Sequence, residues 1–253
     1  MTETFLEKLD KVIAKHSMLD SKFYQAWNKG ELPLSAIKEY AKQRYAFEVA
    51  FPTYVSAVHA RCGNNFNARR MLLENLMDEE LWPVHRIGVL TLSLSSRHNM
   101  PWHQELWLQF TSGLGIPAKK VFSAELFPET LSLLETFKTL TRNEDYRVGL
   151  AALYAYESQE PLVSKTKRVG LENHYEIRDH RALETFSVHE SADIEHSYRE
   201  KVALEASCLT PKHQTDAIYS AETASAAWRL FLGSDIFCNM LIVSNQKAQE
   251  VQA

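Results

Sequence analysis

The chain has 253 residues, 45% of them apolar and 24% charged, with a net charge of −4. That composition can fill one full core, and its scattered lysines and arginines exclude the basic groove that nucleic acid or an anionic membrane would require. Three cysteines, Cys62, Cys208 and Cys238, are odd in number, widely spaced and without a Cys-x-x-Cys pair. They read as reduced thiols of a cytoplasmic protein rather than a disulfide framework. The N-terminus mixes charges from its start and does not read as a signal peptide. The longest apolar stretch, Ile87 to Ser95, is too short to span a bilayer.

Long segments carry a 3.6-residue apolar period, and only 8 glycines and 8 prolines interrupt them. Phe5, Leu9, Val12 and Ile13 predict a first amphipathic helix. Phe23, Tyr24 and Trp27 sit on a short second one, closed by Asn28-Lys-Gly30. Leu34 to about Arg61 reads as one long helix, with Ile37, Tyr40, Ala41, Tyr45, Val49 and Phe51 inward and a kink at Pro52. Gly63-Asn-Asn65 ends it, and Ala68 to Glu80 forms the next. Residues 81–97 alternate apolar and polar positions without a partner strand, and read as an irregular insertion. Helices resume at His103 to Gly113 and from Pro117, with Pro128 dividing the latter. Arg147 to Gly170 is a further helix with Pro161 inside it, and Arg181 to about Ser207 follows. Pro211 to about Phe237 closes the chain after the hydroxyl cap of Thr210. The expectation is all-α, one domain over residues 1–253, with an atypical tail after about residue 237.

One stretch concentrates chemistry: His189-Glu-Ser-Ala-Asp193-Ile-Glu-His196. Offsets of four and seven residues return to roughly 40° and −20° from the first at 100° per residue, so two imidazoles and a carboxylate share one helix face. That is a nitrogen and oxygen donor set suited to a first-row transition metal. Further ligands in a helical bundle must come from apolar faces of other helices. Glu157, within Ala151-Ala-Leu-Tyr-Ala-Tyr156-Glu157, stands where an unpaired carboxylate is expensive. Glu79 closes an amphipathic helix, a poor place for a carboxylate by dipole logic unless a cation is present. His103 opens the next helix. Glu79, His103, Glu157, His189, Asp193 and His196 would place three negative charges against the four positive charges of two divalent metals, leaving room for an anionic substrate.

Several motifs occur together in order: Phe23-Tyr24, Tyr40-Ala41-Lys42, Ala50-Phe51-Pro52, His59-Ala-Arg61-Cys62, Asn75-Leu-Met-Asp-Glu79-Glu80, and the two stretches ending at Glu157 and His196. With them, residues from about 5 to about 232 resemble the chlamydial protein associating with death domains and its bacterial relatives, within the haem-oxygenase-like dimetal oxidases. The resemblance implies a seven-helix haem-oxygenase-like bundle. It also implies a non-haem dimetal centre (two irons, or iron with manganese) on the six residues above, with dioxygen and an external reductant as co-substrates. It further implies para-aminobenzoate synthesis for folate, with an internal tyrosine as ring source and an internal lysine as amino donor. The matching positions are Tyr24 and Tyr40 for the aromatic roles, Lys167 for the amine, and Tyr156 beside Glu157.

Tyr24 and Tyr40 also lie on inward helix faces, where a phenol needs a partner. A buried Lys167 would have its ammonium destabilised and its free amine favoured. In the family a Pro-x-His ligand follows the first glutamate by seven residues, whereas 24 residues separate Glu79 from His103. His85 in Pro83-Val84-His85 is the competing candidate. His103 is preferred because Leu106-Trp107 and Gly113-Leu-Gly115 follow it as in the family. Rival readings are a dimetal oxidase acting on an exogenous amino or fatty acid, and a non-enzymatic interaction module. No nucleic-acid or membrane partner is expected, and a homodimer is compatible with the reading.

Overall fold

The computed structural model describes residues 3–81, 103–234 and 237. Among these the regular structure is entirely helical: α1 (Phe5–Lys15), a short 3-10 turn (Met18–Asp20), α2 (Lys22–Lys29), α3 (Leu34–Arg61), α4 (Phe66–Leu81), α5 (His103–Gly113), α6 (Ala118–Phe122), α7 (Pro128–Thr141), α8 (Tyr146–Glu157), α9 (Glu160–His174), α10 (His180–Ser207) and α11 (Pro211–Leu232). The all-α expectation holds. The segments exceed seven because several are short and because one predicted helix is two. The irregular insertion expected at 81–97 lies, after Leu81, outside the described residues, as do His85 and the tail beyond Phe237.

Local sequence accounts for most boundaries. Thr4 and Glu7 form a reciprocal capping box on α1, each side chain accepting from the other's backbone N–H. Gly30 closes α2 at φ 67°, a left-handed conformation that glycine adopts without a Cβ penalty. Asp145, Asp179 and Thr210 cap α8, α10 and α11 through side-chain oxygens. Helix α3 runs through Pro52. The predicted helix across Pro161 instead breaks at Ser158-Gln159, and Pro161 falls in the first turn of α9, where its missing N–H costs no hydrogen bond. Pro128 likewise opens α7. The last helix stops at Leu232 rather than Phe237, at Gly233.

Two long helices, α3 and α10, organise the packing. Helix α10 lies against α9, α5, α8 and α4, while α3 lies against α4, α7, α5 and α8. Helix α11 covers α8, α7 and α1, and α2 leans on α9. The last contact is close: a Cβ on Gly170 would stand 2.4 Å from the Trp27 ring. The core is continuous from Leu9 to Phe237 and rich in aromatic rings. On α3 the inward assignment needs correction. Val49 is 40% exposed, whereas Arg44 and Glu48 are buried. The face one turn on from Tyr40 is occupied by a charged pair.

Candidate metal centre and aromatic site

The six candidate ligands converge from four helices that meet around α10, and each is at least nine-tenths buried. Ligand atoms of Glu79 (α4), Glu157 (α8) and His196 (α10) lie within 4.8 Å of one another. His103, the first residue of α5, places Nδ1 2.9 Å from Glu79 Oε2. The His103 and His189 rings lie 4.8 Å apart. Asp193 Oδ1 stands 3.5 Å from His196 Nδ1, as does Glu157 Oε1. The structure therefore brings all six into one buried cluster, with His103 beside Glu79 despite the long sequence interval.

Hydrogen bonds behind the cluster aim the imidazoles. His189 Nδ1 donates to the Thr185 carbonyl, one turn earlier on α10, at 2.6 Å, leaving Nε2 for the centre. His196 Nε2 donates to Asp78 Oδ2 at 3.1 Å, which turns Nδ1 toward Glu157 and Asp193. Carboxylates and carbonyls in this position fix tautomer and raise ligand basicity. Asn75, one turn before Glu79 on α4, donates from Nδ2 to both oxygens of Glu157 at 3.2 Å.

This arrangement is poorly compensated without a cation. Asp193 Oδ2 has no hydrogen-bond partner among the described residues, while His196 Nδ1 faces Glu157 Oε1 and Asp193 Oδ1, each at 3.5 Å. A neutral His196 donating through Nε2 would present the Nδ1 lone pair to two carboxylates, which is repulsive. Burial opposes charge on His196, but its bonds to Asp193, Asp78 and Glu157 prevail and hold the imidazolium far above its ordinary range. Burial raises Asp193 to about 6, with His189 and His196 limiting the rise. Burial also opposes ionisation of Glu79, yet His103 outweighs it and Glu79 is held at about 2. An excess of buried anionic oxygen around inward imidazole nitrogens is a fit for divalent metal.

A second buried cluster adjoins the first. The Tyr24 and Tyr40 hydroxyls are 2.9 Å apart, and their rings pack against Phe23 and Trp27. Burial, then the neighbouring Tyr40, pushes the Tyr24 phenol well above its usual range, so it is neutral. Trp27 Nε1 donates to the Lys167 carbonyl at 3.2 Å. Lys167 is buried, the case in which a free amine was expected, but Nζ is 2.6 Å from Glu160 Oε1. The expectation weighed burial alone and missed this carboxylate. Burial opposes charge on Glu160, and Lys167 with Arg44 overcomes it, holding the carboxyl below its usual range.

Helix α3 links the two clusters. Tyr40, Arg44 and Glu48 follow one another at four-residue spacing, on one face. The Arg44 guanidinium pairs with Glu48 at 2.9 Å and donates to the Tyr156 hydroxyl at 2.5 Å. Tyr156 stacks on Trp228 with ring centroids 5.3 Å apart. Its phenol is pushed up by burial against the pull of Arg44. Glu48 is raised by burial more than Arg44 lowers it, and its charge is felt at Glu79 and His103. Glu200 completes the α10 stripe one turn after His196. Burial, then the neighbouring Glu157, pushes it well above the carboxylate range. Sequence reasoning missed Arg44, Glu48, Glu160 and Glu200. Arg44, Glu160 and Glu200 stand four, seven and four residues from Tyr40, Lys167 and His196, a spacing that marks a shared face but not its burial.

The described residues thus form a helical bundle with a buried carboxylate–imidazole cluster beside aromatic and amine groups. The model of the family described as an iron-containing redox enzyme matches residues 38–229. A Nitrosomonas europaea protein named 4-aminobenzoate synthase is 33% identical, with 98% of each chain covered. A Chlamydia pneumoniae protein of the same name is 36% identical over 92% of this chain and 95% of its own. A solved domain of unknown function from Shewanella denitrificans, described as having a heme oxygenase-like fold, superposes with a TM-score of 0.67 at 15% identity, covering 98% of this chain and 95% of that one. The fold is therefore haem-oxygenase-like, and the chain belongs to the iron-containing redox enzyme family together with these relatives. No described helix is long and apolar enough to cross a membrane.

Proposed function

We propose that the chain is a 4-aminobenzoate synthase that uses dioxygen and a reductant at a buried dimetal centre. Glu79, His103, Glu157, His189, Asp193 and His196 would hold the metals, either two irons or iron with manganese. The observation that carries this reading is the buried meeting of Glu79, Glu157 and His196 within 4.8 Å, in a chain whose relatives bear that name over nearly their full length. Bound metals would supply dioxygen activation, which side chains do not perform unaided.

The ring source in this reading is Tyr24 or Tyr40, and the amino donor is Lys167. Converting a tyrosine side chain to 4-aminobenzoate breaks the Cα–Cβ bond, oxidises Cβ to a carboxylate and replaces the phenol oxygen with nitrogen. Dioxygen is the oxidant, and the reductant supplies the remaining electrons. The protein's share is positioning. Phe23, Trp27 and Trp107 hold the paired phenols away from water, with Trp107 6.3 Å from the Tyr40 ring. Arg44 keeps Tyr156 oriented beside Glu157. The pairing of Tyr24 with Tyr40, and of both with the Lys167 region through Trp27, favours an internal ring source over an exogenous acid.

The test is purified protein loaded with iron, or with iron and manganese, then given reductant and oxygen. The reading predicts two metals per chain, 4-aminobenzoate in solution and a digest in which Tyr24 or Tyr40 has lost its side chain. Bound metals with intact tyrosines and turnover of an added acid would refute the internal ring source.

A further inference from the structure

Glu160 and Lys167 lie seven residues apart on one face of α9. Glu160 is 3% exposed and Lys167 1%. Lys167 Nζ donates to Glu160 Oε1 at 2.6 Å, and Ser164 Oγ, one turn between them, donates to the same oxygen at 3.3 Å. Two ring faces wall the amine: Trp107 at 5.8 Å and Phe186 at 5.6 Å from Nζ. Removing two such charges from water costs several kcal/mol per ion, and an apolar pair of similar volume would hold α9 in place at least as well. The pair therefore calls for a reason beyond stability.

Chemistry supplies one. An ammonium has no lone pair, so an amine that is to bond to a ring must first lose a proton to a neighbour. We propose that Glu160 is a catalytic residue that holds Lys167 Nζ against the aromatic cluster and accepts its proton. In the step, one N–H bond of Nζ breaks with its electron pair staying on nitrogen, and one O–H bond forms at Oε1. A cation and an anion become two neutral groups, with no change of oxidation state. Glu160 thus makes the nucleophile at the moment it is needed. This role rests on the reading of Lys167 as amino donor.

The experiment compares the metal-loaded parent protein with Glu160→Gln and Glu160→Asp, each carrying lysine labelled with 15N at Nζ, under reductant and oxygen. Metal content, tyrosine side-chain loss and labelled 4-aminobenzoate are measured together. In Glu160→Gln, metal content and tyrosine loss should persist while aminated product falls about a hundredfold, the scale of a lost general base. Glu160→Asp should recover part of it. A parallel fall of tyrosine loss and amination would indicate a structural role and overturn the proposal, as would an unchanged yield. If Glu160→Gln does not fold, Glu160→Asp carries the same test: a lower ratio of amination to tyrosine loss supports the role, and an unchanged ratio overturns it. Product without 15N in the parent protein would remove Lys167 as donor, and with it the role of Glu160, while leaving the metal centre standing.

Discussion

Replacing Arg44 with methionine should destabilise the protein more than any packing loss explains. Arg44 is 1% exposed and Glu48 5% exposed, and their charges meet at 2.9 Å. At an effective dielectric of about 20, a pair at that distance attracts by about 6 kcal/mol. Desolvation offsets most of this, so the pair adds little net stability, but Arg44→Met leaves Glu48 buried without its cation. Such a loss costs about 3–5 kcal/mol. For a chain of this size that lowers Tm by about 6–20 °C. Methionine keeps most of the contact with the Phe47, Trp107, Tyr156 and Trp228 rings, which lie 4.9 to 5.4 Å from the guanidinium carbon. The assay is a thermal and denaturant double-mutant cycle with Glu48→Leu. Arg44→Met/Glu48→Leu should recover most of the loss, because both charges are gone. Singles costing under about 1 kcal/mol, or a double equal to their sum, would refute the account of a mutually dependent buried pair.

Of Tyr24→Phe and Tyr40→Phe, the variant that removes the ring source should abolish 4-aminobenzoate formation while retaining bound metal, checked by mass spectrometry of product and elemental analysis; product from both would refute the internal ring source. Asn75→Ala and Asp78→Asn should each weaken metal affinity by about 10–100-fold, read by competition with a chelator; unchanged affinity would remove their role in orienting Glu157 and His196. Glu79 gives a pH prediction for the metal-free protein. Its folded value of about 2 lies below the ordinary carboxylate range, so the unfolded state binds the proton more readily. Its contribution is therefore present above about pH 4.5 and lost as pH falls toward 2. Glu79→Gln should flatten that part of the stability profile, and an unchanged slope would count against the His103 pairing.

Much of the architecture was legible because periodicity and caps are local. Leu34–Arg61 matched the predicted bounds, as did the end, at Gly113, of the helix predicted from His103, since apolar spacing and breakers such as Gly63 and Gly115 act within a turn or two. The break before α9 was not legible, because Pro161 suits both a kinked helix and the first turn of a new one. His189, Asp193 and His196 could be grouped from spacing because one helix carries all three. Their partners on α4, α5 and α8 required the family resemblance, since no local pattern records which helices face each other. Arg44, Glu48 and Glu160 escaped for a related reason. Charged residues in a helix are ordinarily solvated, and only the tertiary structure reveals that these are enclosed and paired.

The most direct test of the account is isotopic. The chain is made with ring-13C tyrosine and Nζ-15N lysine, freed of small molecules, loaded with iron or iron and manganese, and exposed to oxygen and reductant. The account predicts 4-aminobenzoate carrying both labels, in an amount not exceeding one per chain. Absence of 4-aminobenzoate from a fully metal-loaded chain would contradict it.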